Sequence, residues 1–209
     1  MRKEDSVWIV GLLTVLLSVV WFQSTTLGIT LQANHPFSLG FVKFALIAIQ
    51  GDFIVSRFKT GHWTVHGIVM KMAVWGMIGL SLVVVFPLFE QGVLGVLAIF
   101  SWTWPTILVA FITSVAMNLW YAPMMMALHR LSDAWIDGFV LKQRVPMKQL
   151  IQDFNWPAFF HFTLGKTIPF FWIPAHTLTF MMPASWRVVY AAILGVSLGI
   201  FQGLLKRQR

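Results

Sequence analysis

The chain has 209 residues, 58% of them apolar and 11% charged, against about 45–50% and about 25% in an ordinary soluble domain; a soluble protein of this size could not bury so much apolar surface beneath a polar skin. Fifteen basic and seven acidic residues give a net charge of +8, and the absence of cysteine excludes disulfides, thiol chemistry and iron–sulfur centres. The composition predicts an all-α, polytopic membrane helix bundle forming a single integral domain over residues 1–209.

A transmembrane helix takes about 20 mostly apolar residues. The first predicted span covers 7–27, behind Arg2 and Lys3. Its length, its Trp21 and Phe22, and the lack of a small-x-small cleavage site read as a retained anchor rather than a signal peptide. The second span covers 37–57 and the third 65–89. Residues 92–128 carry no charge. As one straight helix they would extend about 55 Å, against a hydrocarbon core of about 30 Å. Trp102 and Trp104 suit an interface and Pro105 suits the first turn of a helix. The fourth span is therefore placed at 105–129, with 92–104 as an interfacial or re-entrant piece. A polar connection of 130–153 follows, then spans at 159–182 and 186–205.

Basic residues alternate between the connections. Eleven of the fifteen (Arg2, Lys3, Arg57, Lys59, Arg130, Lys142, Arg144, Lys148, Lys206, Arg207 and Arg209) fall on one predicted side. Under the positive-inside rule this gives six crossings with both termini cytoplasmic. It also accounts for the net charge as lipid-facing topology anchors, and no basic surface with interleaved aromatics suggests nucleic acid.

Ionisable groups inside spans are costly and are functional candidates by default. Asp52 shares a helical stripe with Ala45, Ala48 and Ser56, so it is expected to point into the helix assembly, as a path-lining carboxylate or a structural ion pair. Lys43, Lys71 and Lys166 lie near span ends, where lysine can snorkel to the headgroups; Lys71 could instead pair with Asp52. Asn118 could hydrogen-bond across helices. In the fifth span Pro169 and Pro174 are expected to kink or break the helix, near His176, and broken helices point to transport sites. Arg187, Ala191, Gly195, Gly199 and Gly203 recur at steps of four, a small-residue stripe for close helix packing. His62 and His66 have no carboxylate nearby in sequence, so no metal or cofactor is predicted. The phosphate-loop, zincin and nucleophile-elbow motifs are absent, and the chain reads as a non-enzyme.

Trp172, Pro174, Ala175, Phe180, Pro183 and Arg187, with His35-Pro36 and Gly51-Asp52 upstream, resemble the signature of the Mpv/PMP family. Its members are small integral proteins of peroxisomal and mitochondrial inner membranes, with bacterial relatives. The resemblance implies a pore-forming or solute-permeability role and a family set of Gly51, Asp52, Pro174, Phe180, Pro183 and Arg187. The expected protein is thus channel-like or transporter-like and passes a small hydrophilic solute or ion. Its polar path would draw on Asp52, Lys71, Lys166, His176 and Arg187, with Lys71 or Arg187 as counter-charge to Asp52. The expected location is a bacterial cytoplasmic (inner) membrane, or alternatively an organelle inner membrane. Homo-oligomerisation or a membrane partner is compatible. The alternatives are a substrate-binding subunit of an uptake complex and a non-catalytic membrane-organising protein.

Overall fold

The computed structural model describes residues 3–143 and 145–207, with side chains for 4–143 and 145–201. Arg2, Lys3, Arg144, Lys206, Arg207 and Arg209 of the basic pattern, and packing at Gly203, lie outside the described side chains. The described residues are helical throughout their ordered elements, with no strand among them. The helices are α1 (Lys3–Ser24), α2 (Thr26–Asn34), α3 (Pro36–Thr60), α4 (Ile68–Leu97), α5 (Thr106–Val140), α6 (Met147–Asp153), the single turn α7 (Trp156–Ala158), a π-helix (Phe159–Trp172), α8 (Ile173–Met181) and α9 (Ala184–Arg207). Five of them, α1, α3, α4, α5 and α9, are long and apolar enough to cross a membrane.

The junctions follow from local chemistry. Thr25 separates α1 from α2: its hydroxyl accepts from the Gly28 amide at 3.0 Å and donates to the Phe22 carbonyl at 2.7 Å, which caps the second helix. Pro36 opens α3, where its missing N–H costs nothing. Gly61 ends α3 with φ of 77°, a left-handed cap that a residue with a Cβ adopts only under strain.

Three departures from the sequence expectation are larger than a helical turn. α4 runs to Leu97 rather than 89: the apolar stretch after Glu90 contains no proline and stays helical through Gly92 and Gly95, so only the remainder up to Pro105 is non-helical. α5 begins after Pro105, not with it, and extends to Val140. The first half of the expected polar connection is therefore a helical extension, supported by contacts such as His129 Nε2 to Asp133 Oδ2 at 3.7 Å, one turn apart. The third departure is in 159–182. Proline does not break this segment: Phe159–Trp172 winds as a π-helix containing Pro169, and Pro174 sits in the opening turn of α8. A proline ring clashes with the carbonyl four residues back, and the wider i→i+5 register relieves that clash. The Thr167 hydroxyl accordingly donates to the Phe162 carbonyl, five residues back, at 3.2 Å.

The chain divides into two compact units, Met1–Leu80 with Val188–Arg209, and Ser81–Arg187. In the first unit the core is Phe44, Ala45, Ile47, Ala48, Ile49, Ile78, Val189, Ala191 and Ala192. α3 and α4 approach so closely that a Cβ on Gly79 would lie 2.5 Å from the Gly40 carbonyl oxygen and 2.2 Å from Phe44 Cβ. α3 also crosses α9, where a Cβ on Gly199 would meet Gly51 Cα at 3.7 Å and Val55 at 3.4 Å. Gly195 differs from the other stripe members, since a Cβ there would meet nothing within 4 Å. In the second unit α5 packs most extensively on α8. Its core includes Phe86, Met117, Ile136, Phe159, Ile168, Trp172 and Phe180.

Exposure is inverted relative to a soluble protein. Trp120, Phe170 and Ile99 are 79%, 81% and 78% exposed, while Asn118, Ser114 and Thr179 are fully buried. Such an apolar exterior suits lipid contact rather than water.

Candidate functional site

In the second unit, α5 projects Thr113, Ser114 and Asn118 from one face, and α8 projects His176, Thr177 and Thr179; all six are buried. Ser114 Oγ donates to the Ile173 carbonyl at 2.7 Å. Asn118 Nδ2 donates to the Ser114 carbonyl at 2.8 Å. The Asn118 amide meets His176 Nδ1 at 3.1–3.2 Å, donating to it or accepting from it according to the imidazole tautomer. Trp172 stacks on the His176 ring, 5.1 Å between centroids, and Phe86 meets that ring edge-on at 6.1 Å. The Trp172 indole N–H is buried without a hydrogen-bond partner among the described residues, which costs about 1–3 kcal/mol. The result is a compact polar cluster walled by aromatic rings, beside the π-helix.

At the α8–α9 turn, Arg187 is 7% exposed. Its guanidinium binds Glu90 in a bidentate pair, at 2.6 and 2.8 Å. It also donates to the Met182 and Phe180 carbonyls, both at 3.1 Å, and lies over the Phe180 ring at 5.4 Å. These carbonyls end α8 and have no onward helical partner. Phe180 and Arg187 therefore meet in one turn, while Pro174 and Pro183 sit exposed at the starts of α8 and α9. The carboxylate partner of Arg187 is Glu90, not Asp52.

In the first unit Asp52 is half-buried and accepts from Trp75 Nε1 at 2.8 Å. Lys71 is half-buried in the opening turn of α4. Lys43 does not snorkel: it is 4% exposed and donates to the side-chain oxygens of Gln23 and Gln32. These two glutamines on α1 and α2 hold the ammonium inside the fold, and it forms no ion pair among the described residues. Lys166 is exposed on the π-helix. Asp5 receives Arg57 Nε at 2.6 Å, Arg57 Nη2 at 2.9 Å and Trp63 Nε1 at 3.0 Å.

Sequence reasoning passed over Glu90, Gln23, Gln32, Trp75 and the Asp5–Arg57 pair. Glu90 carried a legible signal: it is the one acidic residue between Asp52 and Asp133. The glutamines carried none, because an uncharged amide in an apolar run announces no partner. Comparison of the chain with protein-family models, curated proteins and solved structures gives no match.

Proposed function

We propose that the protein is a six-crossing integral membrane protein that passes a small hydrophilic solute or ion, with the Ser114–Asn118–His176 cluster and Asp52 as its polar groups. The reading places it in a bacterial cytoplasmic membrane, and the Mpv/PMP-like residues support the same assignment. The observation that carries the reading is the buried Asn118–His176 contact beside a Trp172 donor that has no partner among the described residues. Polar side chains at membrane depth are costly and persist where they bind or conduct. The adjoining π-helix supports it further, because such wide turns recur at functional sites. Arg187 takes a positioning role under this reading, since its partners hold it in one geometry.

Flux through proteoliposomes tests the proposal, with the purified chain loaded against ion and small-solute gradients. Asn118→Leu and Asp52→Asn are each expected to lower flux about tenfold, the size of one lost polar contact of about 1–2 kcal/mol, while the variants elute as the wild type does. Wild-type flux in both variants would exclude these groups from the path. A membrane-organising role is the second reading, favoured by the fixed partners of Lys43 and Arg187, and it predicts no flux at all.

A further inference from the structure

The first unit contains an apolar groove of about 610 Å³, within the about 300–1,000 Å³ range of ligand pockets. α1 contributes Ile9, Leu12, Leu13 and Leu16, α3 contributes Ile54 and Phe58, and α9 contributes Val196 and Ile200. Asp5, Arg57, Gly61 and Trp63 line one end, and Gln50, whose amide donates to the Leu46 carbonyl at 3.2 Å, lines the other. From Asp5 to Leu16 on α1, and from Gln50 to Gly61 on α3, the walls run about 16 Å. That is about half of the 30 Å hydrocarbon core, the depth of one leaflet.

The mouth has the composition of a membrane interface. Trp63 stacks on Trp8 at 5.7 Å, and Trp8 packs on Phe53 at 5.0 Å, in keeping with the preference of tryptophan for headgroup depth. Arg57 spends three N–H groups on Asp5 and the Gly61 carbonyl, and guanidinium has five, so two have no partner among the described residues. Lys59, His62 and His66 are exposed on the adjoining segment. The rim thus presents the Arg57 and Lys59 donors where the apolar trough begins, with the Asp5 carboxylate taken up by Arg57 and Trp63 and the Glu4 carboxylate exposed beside it.

We propose that this groove binds one acyl chain of an anionic phospholipid, with the phosphate at the Arg57–Lys59 mouth and the chain lying between α1, α3 and α9. A charged mouth continuous with a one-leaflet trough matches a lipid end to end. The proposal is independent of the transport reading.

The purified protein in phosphatidylcholine nanodiscs doped with phosphatidylglycerol carrying a photoreactive acyl chain provides the test, with crosslinked peptides mapped by mass spectrometry. Crosslinks are expected to concentrate on 9–16 and 54–58, and Ile54→Trp, which fills the trough, is expected to reduce them about tenfold. Lys59→Gln, at the rim, is expected to lower the preference for phosphatidylglycerol over labelled phosphatidylcholine about fivefold, the selectivity one basic residue supplies at an anionic surface. Labelling spread evenly over lipid-facing residues such as Leu119 and Trp120 would overturn the proposal. So would groove labelling insensitive to Ile54→Trp, equal labelling by both lipids, or recovery of a second copy of the chain from the groove.

Discussion

Arg187 makes four hydrogen bonds, two to Glu90 and two to the carbonyls that end α8. Arg187 is buried and Glu90 only half-buried, so removing Glu90 is costlier than never having built the pair, because the buried guanidinium keeps its desolvation penalty. Glu90→Ala is therefore expected to lower the unfolding free energy in detergent by about 3 kcal/mol. Replacing both residues by leucine should cost less than the sum of the single changes. A Glu90→Ala protein within about 0.5 kcal/mol of wild type, the range of an ordinary surface change, would show that the pair contributes nothing. At this scale the sequence was only half legible. The cost of ionisable groups in apolar runs singled out Arg187, Lys43 and Asp52, but their partners come from helices far away in sequence: Glu90 is 97 positions from Arg187 and Gln23 is 20 from Lys43. Snorkelling was the natural expectation for Lys43, and two amide oxygens overrode it.

Among the elements, the π-helix is where local rules and outcome diverge most. Pro169 and Pro174 made a disturbance predictable, and the disturbance is real, but it changes the helix type instead of interrupting the chain. What periodicity could not convey is how the segment is held from outside. Arg130 donates to Thr163 at 2.9 Å and lies over the Phe159 ring at 5.4 Å, while Ser114 donates to Ile173. The lengths of α4 and α5 were misjudged for a related reason: span prediction stops at charge or at membrane thickness, and a helix does not. Pro169→Ala restores an amide donor and removes the ring clash. Exchange of the amides over 165–173 is expected to slow about tenfold, well inside the about 3 kcal/mol that proline costs in a helix interior. Unchanged or faster exchange would mean that tertiary contacts, rather than Pro169, set the wide winding.

For the whole molecule the open quantity is the parity of crossings. The five long apolar helices would, if each crossed once, leave the two ends of the chain on opposite sides, whereas the alternation of basic connections requires an even number. A crossing by the π-helix and α8 would supply the sixth: together they form a helical run of 159–181 whose apolar residues include the exposed Phe160, Phe162, Phe170 and Leu178. Counting α-helical length alone overlooks it because the winding changes at Ile173. The chain has no cysteine, so single cysteines report sidedness against a silent background. His35→Cys, Ser101→Cys and Ala184→Cys are expected to react with an impermeant maleimide from the non-cytoplasmic face. His62→Cys and Gln149→Cys should react only once the membrane is opened. All five native residues are exposed, so failure to label reports the barrier rather than burial in the fold. The decisive pair is Gln149→Cys and Ala184→Cys, which flank the run in question. Labelling of both from one side would remove that crossing, leave an odd number, and require the basic residues of 130–153 to serve some purpose other than fixing topology.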